Sequence, residues 1–149
     1  MPAVRRNVAV QLGWRLHRWL YRLSAGRLGS LLLGWPIILL TTEGRKSGRP
    51  RTVALHALMT DDRYVVVASN AGEDRHPDWY LNLLAGHMGI VQHGRARVHV
   101  LARVAEGEER ARFWELITAR DRSYLEYQAR TEREIPVVVL EPSGESTPA

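Results

Sequence analysis

The 149-residue chain has no cysteine and a single lysine, Lys46. Without cysteine there can be no disulfide, thiolate metal site or cysteine nucleophile, and the absence fits a reducing cytoplasm. Acids are missing from the first 34 residues, which hold Arg5, Arg6, Arg15, Arg18, Arg22 and Arg27. Those six arginines give +6, so a total of +5 leaves the rest of the chain at −1. A broad polyanion-binding face is therefore excluded, and no nucleic-acid partner is expected. The apolar run Leu31 to Leu40 is broken by Gly34 and Pro36 and is about half the ~20 residues a membrane span needs. Arg15 and Arg18 interrupt any apolar stretch after Arg5-Arg6, so no secretory leader is expected. The six histidines (His17, His56, His76, His87, His93, His99) lack the spacings of zinc-binding motifs, and no metal site is expected.

The length suits one domain with a real core, and 45% hydrophobic with 25% charged residues is ordinary for a globular protein. Residues 4 to about 25 read as a basic amphipathic helix, with Val8, Leu12, Leu16, Trp19, Leu20 and Leu23 at helical spacing and Gln11, Arg15, Arg18 and Arg22 on another face. Such a helix suits the anionic inner face of a cell membrane, and equally suits packing on the domain or on a second subunit. From Ile37 the pattern turns to strands: Ile37–Thr41, Thr52–Met59, Arg63–Ser69, a Gly89–Gln92/Arg95–Val104 hairpin, and Ile135–Leu140. Pro77 is well placed to open a short helix through about Ala85, and helices are expected at Glu106–Arg120 and Ser123–Arg130. Six strand candidates joined mostly by short turns, without regular helical crossovers, point to a small antiparallel β-barrel with helical additions. The expected organisation is a helix and connector over 1–34, a barrel over 35–142 and a loose tail over 143–149.

The stretch Thr42 to Val53 stands out. It holds Arg45, Lys46, Arg49 and Arg51 against one acid, Glu43, between apolar strand-like segments. Gly44 and Gly48 permit positive φ and close backbone approach, so amides could meet an anion beside the cations. Arg49 and Arg51, if extended, project to one side. The stretch reads either as a cradle for phosphate or carboxylate groups or as a basic surface hairpin. It is not a Walker loop, because Arg45 stands where that motif needs glycine before Lys-Ser. Nor is it a nucleophile elbow, because Ser47 is next to the second glycine instead of midway between the two.

The run from Leu39 to Arg51, Leu-Leu-Thr-Thr-Glu-Gly-Arg-Lys-Ser-Gly-Arg-Pro-Arg, closely resembles the deazaflavin (F420)-dependent nitroreductase family, whose members read T-x-G-R-K-[ST]-G-x-x-R. The likeness continues through Val66–Asn70, His76-Pro77-Asp78-Trp79-Tyr80-Leu81-Asn82-Leu83, and Ile135 to Pro142, covering roughly residues 27–142. It implies a split β-barrel of FMN-binding-like type that binds coenzyme F420. The family's enzymes pass hydride from reduced F420 to electron-poor acceptors such as quinones and nitroaromatics. By the same likeness Arg45, Lys46 and Arg51, with the amides around Ser47 and Gly48, hold the phosphate and tail carboxylates. Thr52, Val53 and Leu55 line the ring's edge; Ala68, Ser69 and Asn70 approach the ring or its side chain, with Gly72 supplying backbone freedom. His76 caps the following helix or touches the tail. Pro77, Trp79, Tyr80 and Asn82 belong to a segment closing over the cofactor, with one of the two aromatics expected in the core. Ser69, Tyr124 and Tyr127 are the candidates for a proton source or hydrogen-bond donor to the acceptor. A homodimer is also consistent with the resemblance. Alternatives are a split-barrel carrier of FMN or another ligand, and a non-catalytic module at a membrane surface.

Overall fold

The computed structural model describes residues 36–147, with side chains through residue 144. The expected helix at 4–25 and its connector lie outside the described residues. Seven strands, β1 (Ile37–Glu43), β2 (Pro50–His56), β3 (Leu58–Thr60), β4 (Arg63–Val67), β5 (Met88–His93), β6 (Ala96–Val104) and β7 (Val137–Thr147), form one sheet. Its order is β2-β1-β5-β6-β7-β4-β3, and every neighbouring pair is antiparallel. Helices α1 (Asp78–Gly86), α2 (Gly107–Arg120) and α3 (Ser123–Ala129) complete it, with a 3-10 turn at Asn70–Gly72.

The sheet's two edges, β2 and β3, are consecutive in the chain, with only Ala57 between them. One nearly continuous segment can sit at both ends of a sheet only if the sheet rolls up until those ends meet. The result is a split barrel, closed by a covalent link instead of a hydrogen-bond ladder. The expected single strand Thr52–Met59 is thus two strands. The chain leaves β1 at His56, turns at the fully buried Ala57, whose N–H donates to Pro36 O at 3.0 Å, and joins β4 from Leu58.

Strand alternation sorts the core. Ile38 and Leu40 point into the barrel with Val66, Val91, Val100 and Val138, and α1 plugs one end with Trp79, Tyr80 and Leu83. On the outer face of β4 and β7, Val65, Val137 and Val139 pack under Phe113 and Ile117 of α2 and Tyr124 of α3. Ile37, Leu39 and Ala54 form a third buried cluster on the outer face of β1–β2. Burial on both faces explains why β1 and the start of β7 read as unbroken apolar runs.

The expected loose tail over 143–149 is corrected as far as Thr147, because β7 runs on to that residue and pairs with β6 as far as Arg97↔Thr147. The register shifts between Val98 and Val100, where Ser143 and Gly144 (φ +87) bulge and Ser143 Oγ donates to His99 O at 3.2 Å. Proline lacks the N–H a regular ladder needs, and a bulge accommodates both Pro142 and a positive-φ glycine. Among the described residues no helix is long and apolar enough to cross a membrane.

Truncating Leu140, fully buried, to alanine should lower unfolding stability by about 2–5 kcal/mol. Truncating Leu125, 44% exposed on α3, should change it by about 0.5 kcal/mol or less. Urea denaturation of the two variants checks where the core lies.

Candidate functional site

Antiparallel pairing brings the implied site segments to one rim. Glu43 faces Pro50, Val67 faces Val137 and Val104 faces Val138, so the β1–β2 turn, the loop after β4 and the segment before β7 share the barrel end that α1 plugs. Residues widely separated in sequence therefore meet there.

The β1–β2 turn is held from both sides. Gly44 N–H donates to Arg49 O at 2.8 Å and Gly48 N–H to Gly44 O at 2.7 Å. Gly48 has φ +70, which favours glycine, and a Cβ on Gly44 would stand 2.9 Å from Ser47 Oγ and 3.1 Å from Arg49 O, so the turn leaves it little room. Arg49 N–H donates to Ser47 Oγ at 3.2 Å. Across the rim the buried amide of Asn82 accepts from Arg45 N–H (3.1 Å) and Arg45 Nη1 (2.9 Å) and donates to Thr42 Oγ1 (3.2 Å). Arg45 also pairs with Asp78 Oδ1 at 3.4 Å.

The amides of Gly44, Arg45, Gly48 and Arg49 are already engaged, because the turn closes on itself and on α1. Arg45 and Asn82 serve that closure. Lys46, Arg49 and Arg51 are exposed and, among the described residues, carry no ion pair. The free positive charge of the turn is thus theirs. Arg51 shares the inward face of β2 with Val53 and Leu55, as their cross-strand partners Thr42, Leu40 and Ile38 show. Thr52 faces the other way and meets Thr41 Oγ1 at 2.8 Å, so the expected Thr52–Val53–Leu55 edge divides between two faces.

The loop after β4 takes a strained course. Asn70 (φ +47), Ala71 (φ +55) and Gly72 (φ +79) are left-handed in succession, a conformation that non-glycine residues rarely adopt. Asn70 Nδ2 donates to Arg75 O at 2.9 Å and Glu73 Oε2 at 3.2 Å. A Cβ on Gly72 would lie 2.8 Å from Tyr127 O, so glycine is required where this turn meets α3. Ser69 follows the buried Ala68, and its hydroxyl does not cap the turn. His76 does not cap α1 either. The N-terminal flank is the buried Pro77, and His76 instead accepts from Arg133 Nη1 at Nδ1 (3.1 Å) and lies 4.8 Å from the Tyr80 ring. Trp79 and Tyr80 are both core, 7% and 8% exposed and edge-to-face at 6.3 Å. Because α1 lies across an apolar barrel mouth, two adjacent helical positions can both be covered.

Tyr124 and Tyr127 pack edge-to-face at 5.8 Å. Tyr124 belongs to the core under α2 and α3, and burial, then Asp121 and Tyr127, push its hydroxyl up to about 12. Tyr127 is half-buried at the rim, with the Arg130 guanidinium 5.8 Å from its ring. Asp121 also accepts from Ser123 N–H at 2.9 Å, fixing the start of α3. Arg133 has no sequence signal: it lies outside every motif, yet it binds the Ala68–Glu73 loop. Beside α1, His76 and Tyr80 line an open cleft of about 310 Å³ with Arg110, Glu106 and Glu134.

Asn82→Ala should cost about 1–3 kcal/mol in urea denaturation, because Thr42 and the Arg45 amide lose a buried partner. Burial and the Arg133 charge hold the His76 pKa below its ordinary 6.5. The unfolded chain therefore binds this proton more readily, and stability should fall as pH drops through 6.5 toward the depressed folded value. His76→Gln should flatten that part of the stability–pH curve.

The family model for F420H(2)-dependent quinone reductase matches residues 13–142. An F420H(2)-dependent quinone reductase of Mycobacterium tuberculosis is 40% identical over 139 residues, covering 91% of this chain and 93% of that protein. Among solved structures, an F420-H2 dependent reductase is 42% identical with a TM-score of 0.66, covering 71% of this chain and 94% of the other. A chain solved as a domain-swapped dimer is 37% identical with a TM-score of 0.68, covering 88% and 99%. With the match spanning barrel, basic turn and rim loops alike, the chain belongs to the F420H(2)-dependent quinone reductase family.

Proposed function

We propose that this protein is an F420H2-dependent reductase that uses a quinone-type small molecule as its acceptor. The observation that carries the reading is the trio Lys46, Arg49 and Arg51: three exposed cations without ion pairs among the described residues, held on a braced turn at the barrel rim. A coenzyme with a phosphate and an oligoglutamate tail presents several anionic groups, and side-chain cations suit them better than turn amides that are already bonded. Lys46 and Arg51 are the principal ligands for those anions, with Arg49 beside them. Val53 and Leu55 offer apolar surface on the inward face that Arg51 shares, and Ser69 and Asn70 stand at the adjoining loop.

Bound there, reduced F420 supplies a hydride, and a quinone needs one proton besides it to become the quinol. The protein's part is to hold both partners in register and to provide a donor to the developing oxyanion. Ser69 and Tyr127 are the rim hydroxyls suited to that role. Tyr124, whose hydroxyl stays protonated at neutral pH, supports the Tyr127 ring from beneath. A homodimer is supported by the similar chain that forms a domain-swapped one.

The test is a fluorescence titration with F420 at low and moderate salt, with FMN alongside. Saturable F420 binding, weakened by salt and unmatched by FMN, is expected. Lys46→Ala combined with Arg51→Ala should weaken F420 binding at least about tenfold at low ionic strength, equivalent to ~1.4 kcal/mol. The gap should narrow as the Debye length falls from ~30 Å at 0.01 M salt to ~8 Å at 0.15 M. Unchanged affinity in the double variant would remove the cradle from the site.

A further inference from the structure

Arg133 lies in the irregular segment between α3 and β7, half-buried and without a carboxylate partner within salt-bridge distance among the described residues. Its guanidinium is directed almost entirely at one loop some sixty residues upstream. Nε donates to Glu73 O (2.9 Å), Nη1 to Ala68 O (3.2 Å) and His76 Nδ1 (3.1 Å), and Nη2 to Ser69 O (2.7 Å). Three main-chain carbonyls on either side of the left-handed turn are thus gathered by one rigid planar fork, a geometry that lysine's single ammonium cannot reproduce.

The turn itself needs such a hold. Two of its three consecutive left-handed residues, Asn70 and Ala71, are not glycine, and strain of this kind persists only where the surroundings over-determine it. The loop's own main-chain bonds are few: Gly72 N–H to Ser69 O at 2.9 Å and Glu73 N–H to Asn70 O at 3.1 Å. On the far side α3 presses on Gly72, leaving no room for a Cβ beside Tyr127 O. The loop is therefore pinned between α3 and Arg133, and its course decides where Ser69 and Asn70 stand relative to Tyr127.

We infer that Arg133 is a positioning residue for the acceptor side of the reaction: by holding the Ala68–Glu73 carbonyls it sets Ser69 and Asn70 against Tyr127. This rests on the reductase reading above. It assigns Arg133 no contact with coenzyme or acceptor.

Arg133→Lys, which keeps charge and most of the packing, and Arg133→Gln are compared with the native protein in three measurements. In amide hydrogen exchange without any ligand, Gly72 and Glu73 should lose protection while β1 and β5–β7 keep theirs. F420 affinity by fluorescence should fall by a smaller factor than kcat/KM, because Lys46, Arg49 and Arg51 are untouched while Ser69 and Asn70 shift. With a simple quinone such as menadione, kcat/KM should fall at least tenfold in both variants. In a third variant, Arg133→Ala, which should lose kcat/KM likewise, guanidinium ion at millimolar concentration should restore part of the loss, and it should restore none in Arg133→Lys. If Arg133→Gln does not fold, Arg133→Lys alone carries the test. An active native enzyme whose Arg133→Lys variant keeps full kcat/KM and native exchange at Gly72 overturns the inference and leaves the reductase reading standing. Native protein that neither binds F420 nor reduces quinone overturns the reductase reading instead, and the exchange data still report whether Arg133 holds the turn.

Discussion

One buried primary amide, that of Asn82, governs the working end of this barrel. It has two acceptor lone pairs and two donor hydrogens, and the structure uses both lone pairs on Arg45 and one hydrogen on Thr42. Because the amide is shielded from water, each of those bonds is costly to lose, and together they fix the turn's height above α1. The direction of Lys46, Arg49 and Arg51 follows from that joint. Remove the amide and the turn remains a hairpin, but its charges no longer have a fixed place relative to the barrel mouth.

The electrostatics divide labour within a single basic motif. Arg45 shares Asp78 with Arg75, whose Nη2 lies 3.1 Å from it, and is tied to the scaffold through Asn82. Lys46, Arg49 and Arg51 are exposed and carry no ion pair among the described residues. At the other side of the rim Arg133 is directed at carbonyls, so it acts through geometry more than net charge. Cations at the same rim thus do two kinds of work, and composition cannot tell them apart.

Much of this was legible in the sequence. The apolar runs at β1 and β4, the alternation Val98-Val100-Ala102 in β6, and Pro77 before α1 marked real elements, because period and helix-start chemistry are local. The glycine-bracketed turn was legible as a turn for the same reason. What could not be read depended on distant partners. That Asn82 of α1, 37 residues on, takes both the Arg45 amide and its guanidinium follows only once the helix is placed against the turn. The extension of β7 was hidden because Pro142 and Gly144 signal a tail, whereas β7 bulges there and goes on pairing with β6. Arg133 was invisible because its meaning lies in where the carbonyls of Ala68, Ser69 and Glu73 point.

The single residue between β2 and β3 also bears on how the chain folds. The same short segment pairs with β1 on one side and β4 on the other, each through a hairpin local in sequence, so β1 to β4 form one run whose two ends must still be joined. Closure thus depends on joining strands distant in sequence, such as β4 with β7 and β1 with β5, and loop-closure entropy must be spent before those contacts form. An extra residue at Ala57 would invert every side chain of β3 relative to β2, sending inward-facing positions to solvent. The barrel is therefore tolerant of change at its outer loops and unforgiving at its seam.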